Sequence, residues 1–202
     1  MNKQKYDLFP TLVSRYEGVL SLEEVKTIHE YCLSQETYSH PVFKGNSTSS
    51  HKQESNGSEN ILKKLELEIP ELRGIIEKIY FALNDYTSDL GIRPVNITNN
   101  WFNIQGEGSI LQQHMHCRSV LSAALYLNAD TDSSTINFEN PNPHISYAYG
   151  GDETRNSEYL FEYYYLIPQP GDLIIFPSWL KHGSMYKENK TVNRTCISFN
   201  TK

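Results

Sequence analysis

The chain has 202 residues, of which 38% are hydrophobic and 12% aromatic, and its 18 Lys plus Arg against 24 Asp plus Glu leave a formal net charge of −6. Such a length suits one domain burying roughly 70% of its unfolded surface, and the composition excludes a disordered, collagenous or coiled-coil chain. The acidic balance, without any long Lys/Arg block, argues against a nucleic-acid partner.

Cys32, Cys117 and Cys196 lie far apart with no CxxC pair, so neither a disulfide framework nor a thiolate zinc site is indicated. The segment from Met1 to Pro10 lacks the apolar run of a secretory signal. No stretch approaches the ~18 apolar residues of a membrane span. The reading is of a soluble, cytoplasmic protein with no membrane partner; the sequence leaves its oligomeric state open.

A helix is predicted from Ser21-Leu-Glu-Glu24, where Ser21 can cap and Glu24 can reach back to complete a capping box. Leu22, Val25, Ile28 and Cys32 then share a face. Residues 44 to 60 are polar, rich in Ser and Asn, and read as a loop. Pro70 suits the first turn of a longer helix whose Leu72, Ile75, Ile76, Ile79, Leu83, Tyr86 and Leu90 repeat at three and four, with Gly91 as its stop. From Ile92 the period changes to that of strands, expected near 95–105, 109–116, 119–128, 134–139, 159–167, 172–176, 182–187 and 193–200. The expectation is one α+β domain over residues 1–202. Its helical support, about 1–91, packs on one sheet of a jelly-roll or cupin-like double-stranded β-helix, about 92–202.

The chemistry gathers in Gln112-Gln-His114-Met-His116. Two residues apart on a strand, His114 and His116 project to one side, where both imidazoles can reach one metal. A third imidazole, His182, follows the apolar run Gly171-Asp-Leu-Ile-Ile-Phe176, which can deliver it to the same cavity. Three neutral nitrogen donors suit Fe(II), Zn(II) or Cu(II) without choosing among them. Twelve residues on, Arg194 opens a strand on which Arg194, Cys196 and Ser198 face one way, and a permanent fork-shaped cation beside a hydroxyl is how a carboxylate is held.

These pieces resemble the 2-oxoglutarate- and Fe(II)-dependent oxygenases, in particular a His-x-His group found in phages and bacteria, and are similar to the prolyl hydroxylase-like branch. The resemblance covers about residues 98–200. It rests on Asn100-Trp-Phe-Asn103, His114-Met-His116, Leu121-Ser-Ala-Ala-Leu-Tyr-Leu127, Ile136-Asn-Phe-Glu-Asn-Pro141, Pro170 through His182, and Arg194 to Asn200. It implies a dioxygenase, a hydroxylase of unidentified primary substrate, with Fe(II) held by His114, His116 and His182. It further implies 2-oxoglutarate and O2 as co-substrates. Arg194 and Tyr126 would hold the distal carboxylate, with Ser122 and Ser198 nearby and Asn103 reaching the metal-bound carboxylate. His116 stands where most of the superfamily has Asp or Glu, which leaves the site one unit more positive. Glu139 is a further candidate carboxylate for the site.

Two other classes share these residues: a three-histidine cupin-like dioxygenase that needs no 2-oxoglutarate, and a non-catalytic metal-binding jelly-roll module. His29 and His51 read as solvated, His40 and His144 as loop residues with His144 in reach of a substrate. The insert from Asn140 to Asn156 is the candidate lid.

Overall fold

A computed structural model describes residues 1–51, 60–142, 144 and 160–202. Most of the predicted lid lies outside the described residues.

Helix α1 (Leu22–Ser34) begins as its sequence dictates. Ser21 Oγ accepts from Glu24 N at 3.2 Å, and Glu24 Oε2 accepts from Ser21 N at 2.8 Å. Val25, Ile28 and Cys32 are buried, whereas Leu22, at the first turn of the same stripe, stays exposed. Glu24 also pairs with Lys78 at 2.7 Å, tying α1 to α3 (Ile75–Leu90).

The helix expected from Pro70 is broken. Pro70–Leu72 forms a single 3-10 turn, and Gly74 at φ +92° places a left-handed residue where a right-handed helix cannot continue. The α3 start is capped from the preceding helix α2 (Ile61–Glu68), whose Glu66 carboxylate accepts from the backbone of Gly74 and Ile76, both at 3.0 Å. Gly91, at φ +68°, ends α3 in the left-handed region.

Eleven strands are described: β1 (Ser14–Tyr16), β2 (Phe43–Lys44), β3 (Ser47–Ser49), β4 (Ile97–Gln105), β5 (Ile110–Leu111), β6 (Leu121–Asn128), β7 (Ile136–Glu139), β8 (Tyr163–Leu166), β9 (Leu173–Pro177), β10 (His182–Gly183) and β11 (Arg194–Thr201). They form a six-stranded sheet in the order β1-β9-β6-β11-β4-β3, a three-stranded sheet β10-β7-β8, and the pair β2-β5. Every pairing is antiparallel. The fold is thus mixed α/β with antiparallel sheets.

Three strands precede residue 92, where only helix and loop were expected. β1, β2 and β3 are two or three residues long, too short to show alternation, and β1 and β3 are the edges of the large sheet. The segment read as a loop from residue 44 supplies β3, and the Ser49 and Ser50 hydroxyls both reach the Phe102 carbonyl. The expected strands 109–116 and 182–187 shrink to β5 and β10, and beyond β5 the two segments meet only in the isolated bridge of His114 with His182.

Strands β6 and β9 are buried on both faces, which explains their near-continuous apolar sequence. One face carries Leu121, Ala123, Leu125, Leu173 and Ile175, which join Ile197, Phe199 and the helical Val25, Ile28, Leu65, Ile79 and Leu83 in the main core. The other presents Ala124, Tyr126, Ile174 and Phe176 to Ile136 and Phe138 of the small sheet. Between the two sheets lies the cavity described below. No described helix is long and apolar enough to cross a membrane.

Gly74→Ala separates conformation from packing, since a Cβ there meets nothing within 4 Å. Urea unfolding is expected to show a loss of about 1–2 kcal/mol from the positive φ alone. Leu125→Ala, in the shared core, should cost about 2–5 kcal/mol.

Candidate active site

The segment carrying His114 and His116 runs outside the large sheet and is clasped to the turn after β9. His114 and His182 exchange backbone hydrogen bonds at 2.9 and 3.0 Å, and His116 N donates to Ser178 O at 3.0 Å. These bonds seat three imidazoles together although two belong to no regular strand. Their ring centroids are 4.9 Å apart for His114–His116, 4.4 Å for His114–His182 and 5.1 Å for His116–His182. One nitrogen of each lies within 4.8 Å of the others, a spacing that one metal ion can bridge.

Backbone carbonyls select the donor nitrogen. Nδ1 of His114 meets Gln112 O at 2.9 Å, and Nδ1 of His182 meets Leu180 O at 2.9 Å. With Nδ1–H donating to each carbonyl, Nε2 is left with a lone pair. Burial pushes all three imidazoles toward the neutral form. His114 is lowered by burial against the opposing Gln112 carbonyl, His116 falls to about 4 through burial and the neighbouring His114, and His182 falls well below the usual value through burial and both other rings. Three neutral, converging nitrogens fit a divalent metal, which takes the unprotonated ligand. Phe176, its ring 4.5 Å from that of His182, walls the cluster on its apolar side.

The cavity has a volume of about 260 Å³, and the three histidines, Asn103, Tyr126 and Arg194 all line it. Arg194, 4% exposed, donates through Nε to Ser134 O at 3.1 Å and through Nη1 to Gln105 Oε1. Its guanidinium sits 5.1 Å from the centroid of the Tyr126 ring, a cation–π contact. Burial raises the Tyr126 phenol, with Arg194 opposing, so the ring stays un-ionised. No carboxylate pairs with Arg194 among the described residues.

Other expected residues fall as follows. Ser198 lines the cavity and accepts from Asn103 Nδ2 at 3.1 Å, while Asn103 Oδ1 is buried without a partner among the described residues. Ser122 also lines the cavity, at the position opposite Asn200 across β6–β11, whereas Tyr126 lies opposite Cys196. Its hydroxyl bonds Ser178 Oγ and Asn200 Oδ1, both at 2.8 Å. Six residues of β11, on the order of 20 Å, separate that end from Arg194. Glu139 also stands apart from the histidines, in an ion pair with Lys181 at 2.7 Å. His144 is exposed.

Several cavity residues escaped the sequence reading. His51, expected to be solvated, and His40 both line it, and their rings continue through Trp101 to His116 with centroid spacings of 5.5, 5.5 and 6.0 Å. His29, on α1, has Nε2 buried rather than solvated. Gln105 lies opposite Arg194 in the strand register. The alternation of Asn99, Trp101, Asn103 and Gln105 along β4 was a usable signal, since residues two apart share a face.

Residues 99–200 match the family model described as "Putative 2OG-Fe(II) oxygenase", slightly more than half of the chain. The chain belongs to the 2-oxoglutarate- and Fe(II)-dependent oxygenases. Solved structures agree in fold. HygX from Streptomyces hygroscopicus, determined with nickel and 2-oxoglutarate bound, aligns with a TM-score of 0.58 at 12% identity over 95% of this chain and 82% of that one. A Pseudomonas putida prolyl-4-hydroxylase aligns at 0.53 and 15% identity over 96% and 93%. The viral collagen prolyl hydroxylase from Paramecium Bursaria Chlorella virus-1, in complex with 2-oxoglutarate, aligns at 0.57 and 13% identity over 94% and 95%. No curated protein sequence matches the chain. The oxygenase thus shares the double-stranded β-helix architecture of this family and uses Fe(II) and 2-oxoglutarate with O2.

Gly183 holds the histidine bridge closed, because a Cβ there would lie 2.8 and 2.9 Å from the Leu111 and Gln112 carbonyl oxygens. Gly183→Ala is expected to push these segments apart and weaken metal binding at least about tenfold, with a stability cost on the order of 1–3 kcal/mol. Quenching of tryptophan emission checks it in a Trp179→Phe background, where Trp101, near His116, is the sole reporter.

Proposed function

We propose that His114, His116 and His182 are the protein ligands of Fe(II), and that Arg194 and Tyr126 hold the distal carboxylate of 2-oxoglutarate. The observation that carries this reading is Arg194. A guanidinium kept from water without an acidic partner among the described residues is costly unless an anion joins it, and the cavity it lines also holds the three imidazoles. Bound together, Fe(II) and 2-oxoglutarate supply O2 activation coupled to decarboxylation, yielding succinate and CO2 while a substrate C–H bond is oxidised.

The chain's own residues do the rest. The Gln112 and Leu180 carbonyls hold His114 and His182 in the tautomer that leaves Nε2 free to ligate. With His116 in place of a carboxylate, the ligand set carries no negative charge, and the site gains in attraction for a dianionic co-substrate. Arg194 contributes a planar cation, kept in place by Ser134 O, Gln105 Oε1 and the Tyr126 ring. Asn103, supported by Ser198, lies on the same wall, and its amide can turn over against a hydroxyl that donates or accepts. Phe176 and Ile136 exclude water from the far side. Trp101, His51 and His40 form a ring-lined wall where a primary substrate enters.

We read the 202 residues as one domain of jelly-roll type, with its helices as support for the large sheet, working in the cytoplasm. Three free cysteines fit such a reducing setting. The net charge of −6 disfavours nucleic acid as substrate.

Anaerobic protein loaded with Fe(II) is expected to develop a saturable visible charge-transfer band on titration with 2-oxoglutarate, and to release succinate when O2 is admitted. His182→Ala should lose metal and band together. Arg194→Met should retain stoichiometric iron while its 2-oxoglutarate affinity falls on the order of a hundredfold, the loss of a charge-assisted bidentate contact. Stoichiometric iron with no band in the wild type would favour the three-histidine dioxygenase or the non-catalytic module instead.

A further inference from the structure

Beside Arg194 a buried donor is left over. Gln105, the last residue of β4, is 1% exposed and lines the cavity. Its Oε1 accepts from Arg194 Nη1, and its Nε2, shut off from solvent, has no hydrogen-bond partner among the described residues. The orientation of this amide is not free. A guanidinium only donates, so the oxygen must face Arg194 and the two N–H groups must face elsewhere. Asn103 differs, because its neighbour is a hydroxyl of either polarity. Arg194 and Gln105 therefore present donors side by side, and an acceptor-only group arriving in the cavity satisfies both.

We propose that Gln105 Nε2 is a second donor to the distal carboxylate of 2-oxoglutarate, and that this residue makes the oxygenase selective for the free dicarboxylate over its distal amide. The proposal rests on the reading of this cavity as the 2-oxoglutarate site. A carboxylate offers only acceptors and matches the paired donors, whereas the NH2 of a distal amide would be turned against one of them. Glutamine also meets Arg194 without cancelling its charge. Glutamate at the same position would ion-pair with the guanidinium inside the free protein and offer an acceptor where Nε2 now offers a donor.

The test compares 2-oxoglutarate with its distal monoamide, 2-oxoglutaramate, by calorimetry on anaerobic, Fe(II)-loaded wild type, Gln105→Glu, Gln105→Leu and Arg194→Met, together with melting of each protein before co-substrate is added. Gln105→Glu is expected to melt higher than wild type, because Arg194 gains a carboxylate. Its 2-oxoglutarate affinity should nevertheless fall on the order of a hundredfold, and its preference for the acid over the monoamide by at least about tenfold. Gln105→Leu should melt lower and lose about tenfold in 2-oxoglutarate affinity, more than it loses for the monoamide.

A merely structural Gln105 would leave Gln105→Leu weakened equally toward both ligands, with the preference for the acid over the monoamide unchanged, which overturns the proposal. If wild type binds 2-oxoglutarate and Arg194→Met does not, an unchanged preference in the Gln105 variants sinks the role of Gln105 alone. Failure of the wild type to bind 2-oxoglutarate sinks that role and the underlying reading together. Should Gln105→Glu not fold, the Gln105→Leu preference decides by the same criterion.

Discussion

Arg194 is a full positive charge held 4% exposed on a central strand, and the inner half of the molecule is arranged around it. Among the described residues, the groups that reach it are a backbone carbonyl, an amide oxygen and the face of a phenol ring, all neutral. They orient the guanidinium but leave its charge uncompensated, which disposes the cavity toward a small anion. The same charge explains why burial alone does not isolate the site. A cavity lined only by Phe176, Ile136 and Ala124 would stay dry and apolar, whereas this one carries a directed field from one end to the imidazole cluster.

That arrangement needs two cores that do not compete. The large sheet gives one face to the helices and the other to the small sheet, and the period of two along β6, β9 and β11 sorts side chains between them. A one-residue slip of β11 would exchange Arg194, Cys196 and Ser198 for Thr195, Ile197 and Phe199, sending the cation into the helical core. The burial of Ile197 and Phe199 in the core shared with the helices therefore holds the register that keeps Arg194 inside the cavity. Away from that sheet, the histidine bridge does a similar service with backbone hydrogen bonds, since an isolated pair of residues suffices to align His114 with His182.

Much of the site was legible because its chemistry is carried by rare residue types at short spacing. His114-x-His116, the apolar run before His182 and Arg194 at the start of an alternating strand each stand out in one dimension. The capping box of α1 and the glycine stop of α3 were equally local and equally readable. The interruption at Gly74 was not, because an isolated glycine inside a helical repeat is often tolerated, and only the Glu66 cap from another helix makes the break the better solution. That Ser122 lines the Asn200 end of the cavity was not legible, because proximity to Tyr126 in sequence says nothing about which end of a sheet a residue occupies.

The sequence by itself determined the classes of chemistry available: neutral imidazoles for a metal, one permanent cation for a carboxylate, and apolar strands with a period that had to bury two faces. Tertiary structure alone decided which neighbours those groups meet. Gln105 reached Arg194 through the β4–β11 register, His40 came to the cavity wall from a loop, and His51 came from a polar segment that carried no periodicity. Ser122 took Ser178 and Asn200 as its hydroxyl partners through the strand pairing. The physical reason is that local propensity and spacing act over a few residues of chain. Hydrogen-bond partners between strands are set instead by register, and register follows from how the whole sheet buries its apolar side.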